Sequence, residues 1–251
     1  MNILISNDDG IESAGIKILA NALKSIANVT VVAPLYEKSG ASQSLTIHTP
    51  LQVHEMNHNN EFFGYGVTGT PADCVKLALS HICKNKPDYV ISGINRGPNN
   101  ACNLHYSGTV GAAAEGAVHG IISFAVSLAG FDCHDYTVSA EFMKRFMEKV
   151  HLLPQDCFLY NINIPSLPYE EIKGVKWTKA SQYSYLNNYM KGKDPFRKDY
   201  YWLSDFRKPQ HIDKLTDDGA LSDYFISITP LLMDRTDYKT LQSLNKIGDI
   251  W

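Results

Sequence analysis

Asp8 and Asp9 stand side by side in the stretch Asn7-Asp8-Asp9-Gly10. Two carboxylates about 4 Å apart, at an effective dielectric near 20, repel each other by on the order of 4 kcal/mol. A cleft that keeps both ionised therefore needs something cationic. Gly10 permits the tight turn that lets the two converge. For either aspartate alone, capping the helix that begins near Glu12–Ala14 is an equally good reading. Two in succession, with Asn before and Gly after, favour a metal site.

Other oxygen donors recur at intervals. The loop Leu35–Ser44 carries Ser39, Ser42, Ser44 and Lys38, and Gly93-Ile94-Asn95-Arg96-Gly97-Pro98-Asn99 brings an amide oxygen at Asn95 and a planar cation at Arg96. Asp8, Asp9, Ser39 and Asn95 together supply two anionic and two neutral oxygens. That set suits one hard divalent cation per chain, Mg²⁺ or Mn²⁺, with water completing an octahedron. Further on, Ser107-Gly108-Thr109 opens a helix of small residues. Such a turn offers free backbone N–H groups, two hydroxyls and the positive end of a helix dipole, which suit a phosphate. The phosphate-binding set expected from these loops is Asn95, Arg96, Gly97, Asn99, Ser107, Gly108 and Thr109, with Asp8 and Asp9 as the catalytic pair. The G-x-x-x-x-G-K-[ST] pattern is absent, which disfavours P-loop nucleotide hydrolysis. His105 reads as a rim residue or an aid to a leaving group, and Glu115 is given no catalytic role.

The elements that must position these loops alternate in type. Asn2–Ser6, Val29–Ala33, Tyr89–Ser92, Ser123–Leu128 and Phe158–Ile164 read as strands, and Leu51–Glu55 with Phe62–Thr68 as a hairpin. Helices are expected over Ala14–Ile26, Pro71–Cys83 (N-cap Thr70, Pro71 first), Thr109–His119 and Ser139–Val150. Alternation of this kind predicts an α/β fold, a Rossmann-like, doubly wound, mostly parallel sheet with helices on both faces. In such a sheet the loops at the carboxyl ends of neighbouring strands meet in one crevice, so Asp8, Ser39, Asn95 and Ser107 are expected together. The texture changes at about Trp177. Tyr183, Tyr185, Tyr189, Phe196, Tyr200, Tyr201, Trp202 and Phe206 lie in a polar stretch poor in aliphatics, which predicts an extended C-terminal arm or hairpin. The division expected is a catalytic core over 1–176 and, over 177–251, an oligomerisation arm with elements returning to the core (strand Phe225–Thr229, helix Tyr238–Ile247).

Composition narrows the partners. With 23 basic and 26 acidic residues the net charge is −3, which argues against gripping duplex nucleic acid. No apolar run reaches the roughly 18–20 residues that span a bilayer, and no signal peptide is visible. Five scattered cysteines, odd in number, predict reduced thiols and a cytoplasmic protein.

Five motifs in order, N-D-D-G (Asn7–Gly10), S-G-A-S-x-S-L-T (Ser39–Thr46), G-T-P-A-D-C-V (Gly69–Val75), S-G-I-N-x-G-P-N (Ser92–Asn99) and Y-S-G-T-V-x-A-A-x-E-G (Tyr106–Gly116), resemble the SurE survival-protein family of 5′-nucleotidases. The resemblance implies metal-dependent hydrolysis of nucleoside 5′-monophosphates to nucleoside and phosphate, extending to 3′-nucleotides and short polyphosphate. It implies Asp8, Asp9, Ser39 and Asn95 as metal ligands, and phosphate at Asn99 and Ser107-Gly108-Thr109. It also implies a homodimer or homotetramer built through the arm. The chain departs from the family at Asn100-Ala101-Cys102-Asn103, where Gly and an acidic residue are usual, along Thr178–Tyr185, and at Asp223. The alternative reading is a non-catalytic nucleotide-binding sensor using the same crevice. A binder of anions alone, however, has no use for paired carboxylates beside its ligand.

Overall fold

The computed structural model describes residues 1–132, 134–182, 188–204 and 213–247. The elements run β1 (Asn2–Ser6), α1 (Ala14–Leu23), β2 (Asn28–Pro34), β3 (Val53–His58), β4 (Glu61–Val67), α2 (Pro71–Leu77), β5 (Tyr89–Arg96), α3 (Gly108–Val118), β6 (Ile122–Ala129), α4 (Thr137–Glu148), β7 (Leu159–Pro165), β8 (Val175–Trp177), β9 (Asn188–Lys193), β10 (Asp199–Ser204), α5 (Asp217–Ser222), β11 (Ile226–Leu231) and α6 (Tyr238–Leu244). Nine strands form one sheet in the order β3-β4-β2-β1-β5-β6-β7-β11-β8. From β4 to β7 every neighbouring pair is parallel. β3 joins β4, and β11 joins β7, antiparallel. The expected doubly wound, mostly parallel sheet is present.

Alternation along the central strands divides the core. Ile3 and Ile5 of β1, Ile91 of β5, and Phe124 and Val126 of β6 pack on one face with Ile16 and Leu19 of α1 and Met143 and Met147 of α4. Leu4, Val32 and Val90 point to the other face, against Val75 of α2 and Ala112 of α3. Apolar side chains on both faces are what a sheet covered on both sides requires, and the period-2 alternation sends neighbouring residues to opposite layers.

Several boundaries differ from those predicted. The hairpin turn falls at Asn59 and Asn60, with φ of 52° and 64°. Asparagine tolerates this left-handed backbone, and two such residues in a row make the tight turn that matches strand twist. The strands accordingly extend to His58 and restart at Glu61. The second helix is α-helical only to Leu77 and then widens into a π-type turn over Ala78–Ile82, closed by Cys83 N–H donating to the Ala78 carbonyl at 2.9 Å. Its start is as predicted: the Thr70 side chain accepts from Asp73 N–H, and Asp73 accepts from Thr70 N–H.

The aromatic stretch forms an antiparallel hairpin, β9 against β10, with Tyr189, Met190, Tyr201, Trp202 and Phe196 all exposed. Tyr183, Tyr185 and Phe206 lie outside the described residues. Beyond the hairpin the chain returns through α5 to β11, which enters the main sheet between β7 and β8. Asp223 pairs with Lys176 of β8 at 3.5 Å. Ala101, in the other departing segment, takes a φ of 48°, a left-handed conformation that suits glycine better than alanine. Among the described residues, Cys74, Cys83, Cys102 and Cys157 are free thiols, and no helix is long and apolar enough to cross a membrane.

Candidate active site

β1 and β5 are adjacent and parallel, with Ser6 paired to Ser92, so the loops that follow them emerge at the same edge of the sheet. Asp8 and Asp9 leave β1 there, and Arg96 N–H donates to Asp9 Oδ2 at 3.3 Å across the gap. The serine-rich loop after β2 comes to the same place. Lys38 N–H donates to the Asp8 carbonyl at 2.7 Å, Ser42 N–H to the Tyr106 carbonyl at 2.9 Å, and Ser42 Oγ to the His105 carbonyl at 2.8 Å. α3 starts against Asp8. The Thr109 hydroxyl donates to Asp8 Oδ1 at 2.5 Å, and Ser107 caps the helix by accepting from Val110 N–H at 3.1 Å.

The two aspartates differ in setting. Asp8 is buried, and burial pushes its carboxyl up from the ordinary range against the pull of the Thr109 hydroxyl and the backbone N–H groups of Asp8, Thr109 and Gly108. The amino end of α3 is thus aimed at a carboxylate of the protein itself. Asp9 is half-buried. Burial, then the charge of Asp8 and more weakly that of Glu37, push its carboxyl up to about 6, against the Arg96 N–H and guanidinium. Two raised carboxylates facing mainly neutral donors are short of positive charge, and that shortage fits a bound cation.

The other expected ligands lie at the end of β5 and on the loop after β2. The Asn95 side-chain NH₂ donates to the Gly97 carbonyl at 2.8 Å, which leaves the amide oxygen as the end suited to a cation. Ser39 is exposed on its loop, and its hydroxyl donates to Glu37 Oε1 at 2.7 Å, so the oxygen keeps lone pairs to offer. Among the described residues no three His, Cys, Asp or Glu group in metal-holding geometry. The oxygens carried by Asp8, Asp9, Asn95 and Ser39 are carboxylate, amide and hydroxyl, a set whose chemistry suits a hard cation.

Of the residues expected at the phosphate, Arg96 is exposed, and Ser107, Gly108 and Thr109 are buried at the start of α3. Asn99 reaches the same edge but turns inward. Its side-chain NH₂ donates to Ser127 Oγ at 3.0 Å, its N–H to Asn163 Oδ1 at 2.8 Å, and its carbonyl accepts from Asn161 and Asn163. Asn99 thereby pins the loop after β5 onto β6 and β7. His105 lies exposed at the rim. Glu115, buried on α3, holds Lys76 at 2.8 Å and accepts from Gln43 at 3.1 Å, tying the serine-rich loop to α2 and α3.

Three participants escaped the sequence reading. Glu37, whose charge reaches Asp9, sits only two residues before Ser39 in the same loop, and that proximity was its available signal. Asp217 and Asp218 of α5 receive Ala101 N–H at 3.2 Å and the Asn100 side chain at 2.5 Å. They anchor the phosphate-side loop from over a hundred residues away, and no local pattern announces that.

A family model described as "Survival protein SurE" matches residues 3–187. This chain belongs to the SurE family. The SurE protein of Aquifex aeolicus, solved as a crystal structure, superposes with a TM-score of 0.86 at 40% identity, covering 99% of this chain and 100% of that one. A relative from Chlorobium limicola named "5′-nucleotidase SurE" is 44% identical over 247 residues, covering 98% of this chain and 95% of its own. A SurE relative of the same name from Synechococcus sp. is 41% identical over 253 residues, 99% of this chain and 98% of its own. The SurE match thus extends past the motifs through the hairpin and the returning strand.

Proposed function

We propose that this chain is a metal-dependent phosphomonoesterase, a 5′-nucleotidase that converts nucleoside 5′-monophosphates to nucleoside and phosphate. We extend the proposal to 3′-nucleotides and short polyphosphate, to one Mg²⁺ or Mn²⁺ per subunit, to a cytoplasmic location, and to a homodimer or homotetramer assembled through the exposed β9–β10 hairpin. On this reading 1–176 is the catalytic core and 177–251 the arm with its returning elements. The observation that carries the proposal is the adjacent carboxylate pair, Asp8 held against the start of α3 and Asp9 beside Arg96, with burial raising both.

Asp8, Asp9, Ser39 and Asn95 would hold the cation, which when bound supplies positive charge to the phosphoryl oxygens and acidifies water. Asp8 is the fixed member, clamped by Thr109 and the N–H groups of α3. Asp9, nearer solvent, is placed to orient the attacking water and accept its proton. The water oxygen forms the new bond to phosphorus as the bond to the ester oxygen breaks, and that oxygen takes a proton from solvent at the open rim. Arg96 and the Ser107 hydroxyl stabilise charge on the equatorial oxygens.

Hydrolysis of AMP is expected with Mn²⁺ or Mg²⁺ and is expected to vanish with thorough chelation. Undiminished turnover in excess EDTA would remove the metal from the proposal. Tight AMP binding without turnover at any metal concentration would make the protein a sensor.

The raised Asp9 carboxyl gives a pH dependence. A cation needs both carboxylates ionised, so its apparent affinity is expected to rise with pH, by at least about tenfold per unit below about 6, where Asp9 is protonated. The metal-free protein behaves in the opposite sense. An acid with a raised folded-state value holds its proton more tightly folded than unfolded, so stability falls as pH rises from 3.8 through about 6. Mn²⁺ titrations by calorimetry at pH 5 and pH 7 check the first point, and equal affinities would contradict it.

A further inference from the structure

Across the loop after β5 from Asp8 and Asp9, at the carboxyl ends of β6 and β7, lies a cavity of about 300 Å³. Its walls include Phe131, Tyr224, Leu167 and Leu221, with Asn100 and Asp218 among the polar groups. Phe131 follows β6 and is 64% exposed, although the chain offers it a large core nearby. Its ring lies directly on Gly97: a Cβ at that position would come within 2.3 Å of ring atom Cε1, and Gly97 takes a φ of +98°. The aromatic ring is thus seated on the same short loop that presents Asn95 and Arg96, with most of its surface open.

We infer that this cavity is the nucleobase subsite of the enzyme, with the Phe131 ring as the platform on which the base stacks. The inference rests on the nucleotidase reading and says where the rest of the substrate lies. Three features of the cavity point to a base. An apolar, aromatic-walled pocket with a few amides and hydroxyls at its edge suits a flat, neutral, hydrogen-bonding ring. The Asp218 carboxylate in the wall disfavours a second anion, so the cavity does not suit another phosphate. The loop from Arg96 to Asn103 borders both regions, with Arg96 on the phosphate side and Pro98, Asn100 and Asn103 on the cavity side. A nucleotide lying along that loop would place its phosphate on one side and its base on the other.

Stacking tolerates every base, because each has a π face. The subsite is therefore expected to separate nucleotides from base-free phosphate esters more sharply than one base from another.

The test uses the full chain with Mn²⁺ and compares AMP with ribose 5-phosphate, which keeps the sugar and phosphate and lacks the base. Phe131→Ala is expected to raise KM for AMP about tenfold and to leave kcat/KM for ribose 5-phosphate unchanged. Leu221→Trp, which fills the cavity from the opposite wall, is expected to give the same selective loss. Equal losses on both substrates, or none on either, would overturn the inference. Adenosine, which has no phosphate, supplies a readout independent of turnover: it is expected to bind the parent and to bind Phe131→Ala about tenfold more weakly by calorimetry. Failure of the nucleotidase reading would show as no turnover of either phosphate ester with adenosine binding intact. Absence of Phe131-dependent adenosine binding would refute the subsite itself.

Discussion

Asp8→Asn is expected to lower kcat/KM for AMP by on the order of 10³-fold while raising the melting temperature of the metal-free protein. The two effects share one cause. Asp8 is buried, and burial holds its carboxyl above the ordinary range despite the Thr109 hydroxyl and the N–H groups of Gly108 and Thr109. An ionised group in that position opposes folding, and asparagine keeps its shape without its charge. The side-chain oxygen of asparagine can still accept from Thr109, while its NH₂ replaces the second acceptor, a loss smaller than the cost of the buried charge it removes. The stabilisation, about 1 kcal/mol, is expected at pH 8, well above the ordinary carboxylate range. It shrinks as pH falls toward the ordinary carboxylate range, because a raised acid opposes folding only above its unfolded-state value. Adding Mn²⁺ should raise the melting temperature of the parent and barely move that of the variant. Thermal melts with and without Mn²⁺ at pH 5 and pH 8, alongside AMP kinetics, give all four quantities. A variant that melts below the metal-free parent at pH 8, or that keeps the parent's rate, would refute the role assigned to Asp8.

Gly111→Val is expected to cost about 1–3 kcal/mol of stability and to weaken divalent-cation binding by about 10–100-fold. Gly111 lies on the second turn of α3, under the serine-rich loop. A Cβ there would come within 2.1 Å of the Ser42 carbonyl oxygen, 2.5 Å of its carbonyl carbon and 2.8 Å of Gln43 N. All three are backbone atoms, so no rotamer change relieves the clash. Either the helix shifts, disturbing the Thr109 contact to Asp8, or the loop lifts, carrying Ser39 away from the carboxylate pair. Gln43 binds Glu115 on the same helix, which resists the second movement and turns it into strain. Urea unfolding reads the stability change as a lower midpoint at constant slope, and calorimetric titration with Mn²⁺ reads the binding change. Unaltered metal affinity in a destabilised variant would show that the helix does not set the position of the loop.

Much of this site is legible in the chain alone, for a physical reason. In a parallel α/β sheet the carboxyl ends of successive strands share one edge, so a chemical motif just after a strand is already placed in the crevice. Asn7-Asp8-Asp9-Gly10, the Ser39 loop, Asn95-Arg96 and Ser107-Gly108-Thr109 each follow a strand or open a helix, and all four arrive there. The period-2 and helical patterns of β1, β5, β6, α1 and α3 follow from which faces must be buried, and burial is written in residue type.

What only the tertiary structure decided is which partner each polar group takes. From the sequence, the Thr109 hydroxyl and the amino end of α3 are free to meet a phosphate. In the fold they meet Asp8, 101 residues earlier. Asn99 has the chemistry to bind an anion, yet its amide turns to Ser127 and its backbone to Asn163. Glu37 adds a third carboxylate charge near Asp9, and Asp217 and Asp218 reach back to fasten Asn100 and Ala101. Hydrogen bonds depend on distance and direction to within a few tenths of an ångström, and residue order carries no such measure between segments far apart in the chain. Asp8 and Asp9 could be recognised as a pair from their adjacency. Their division into a clamped member and one open to solvent came from the helix that the fold set against only the first.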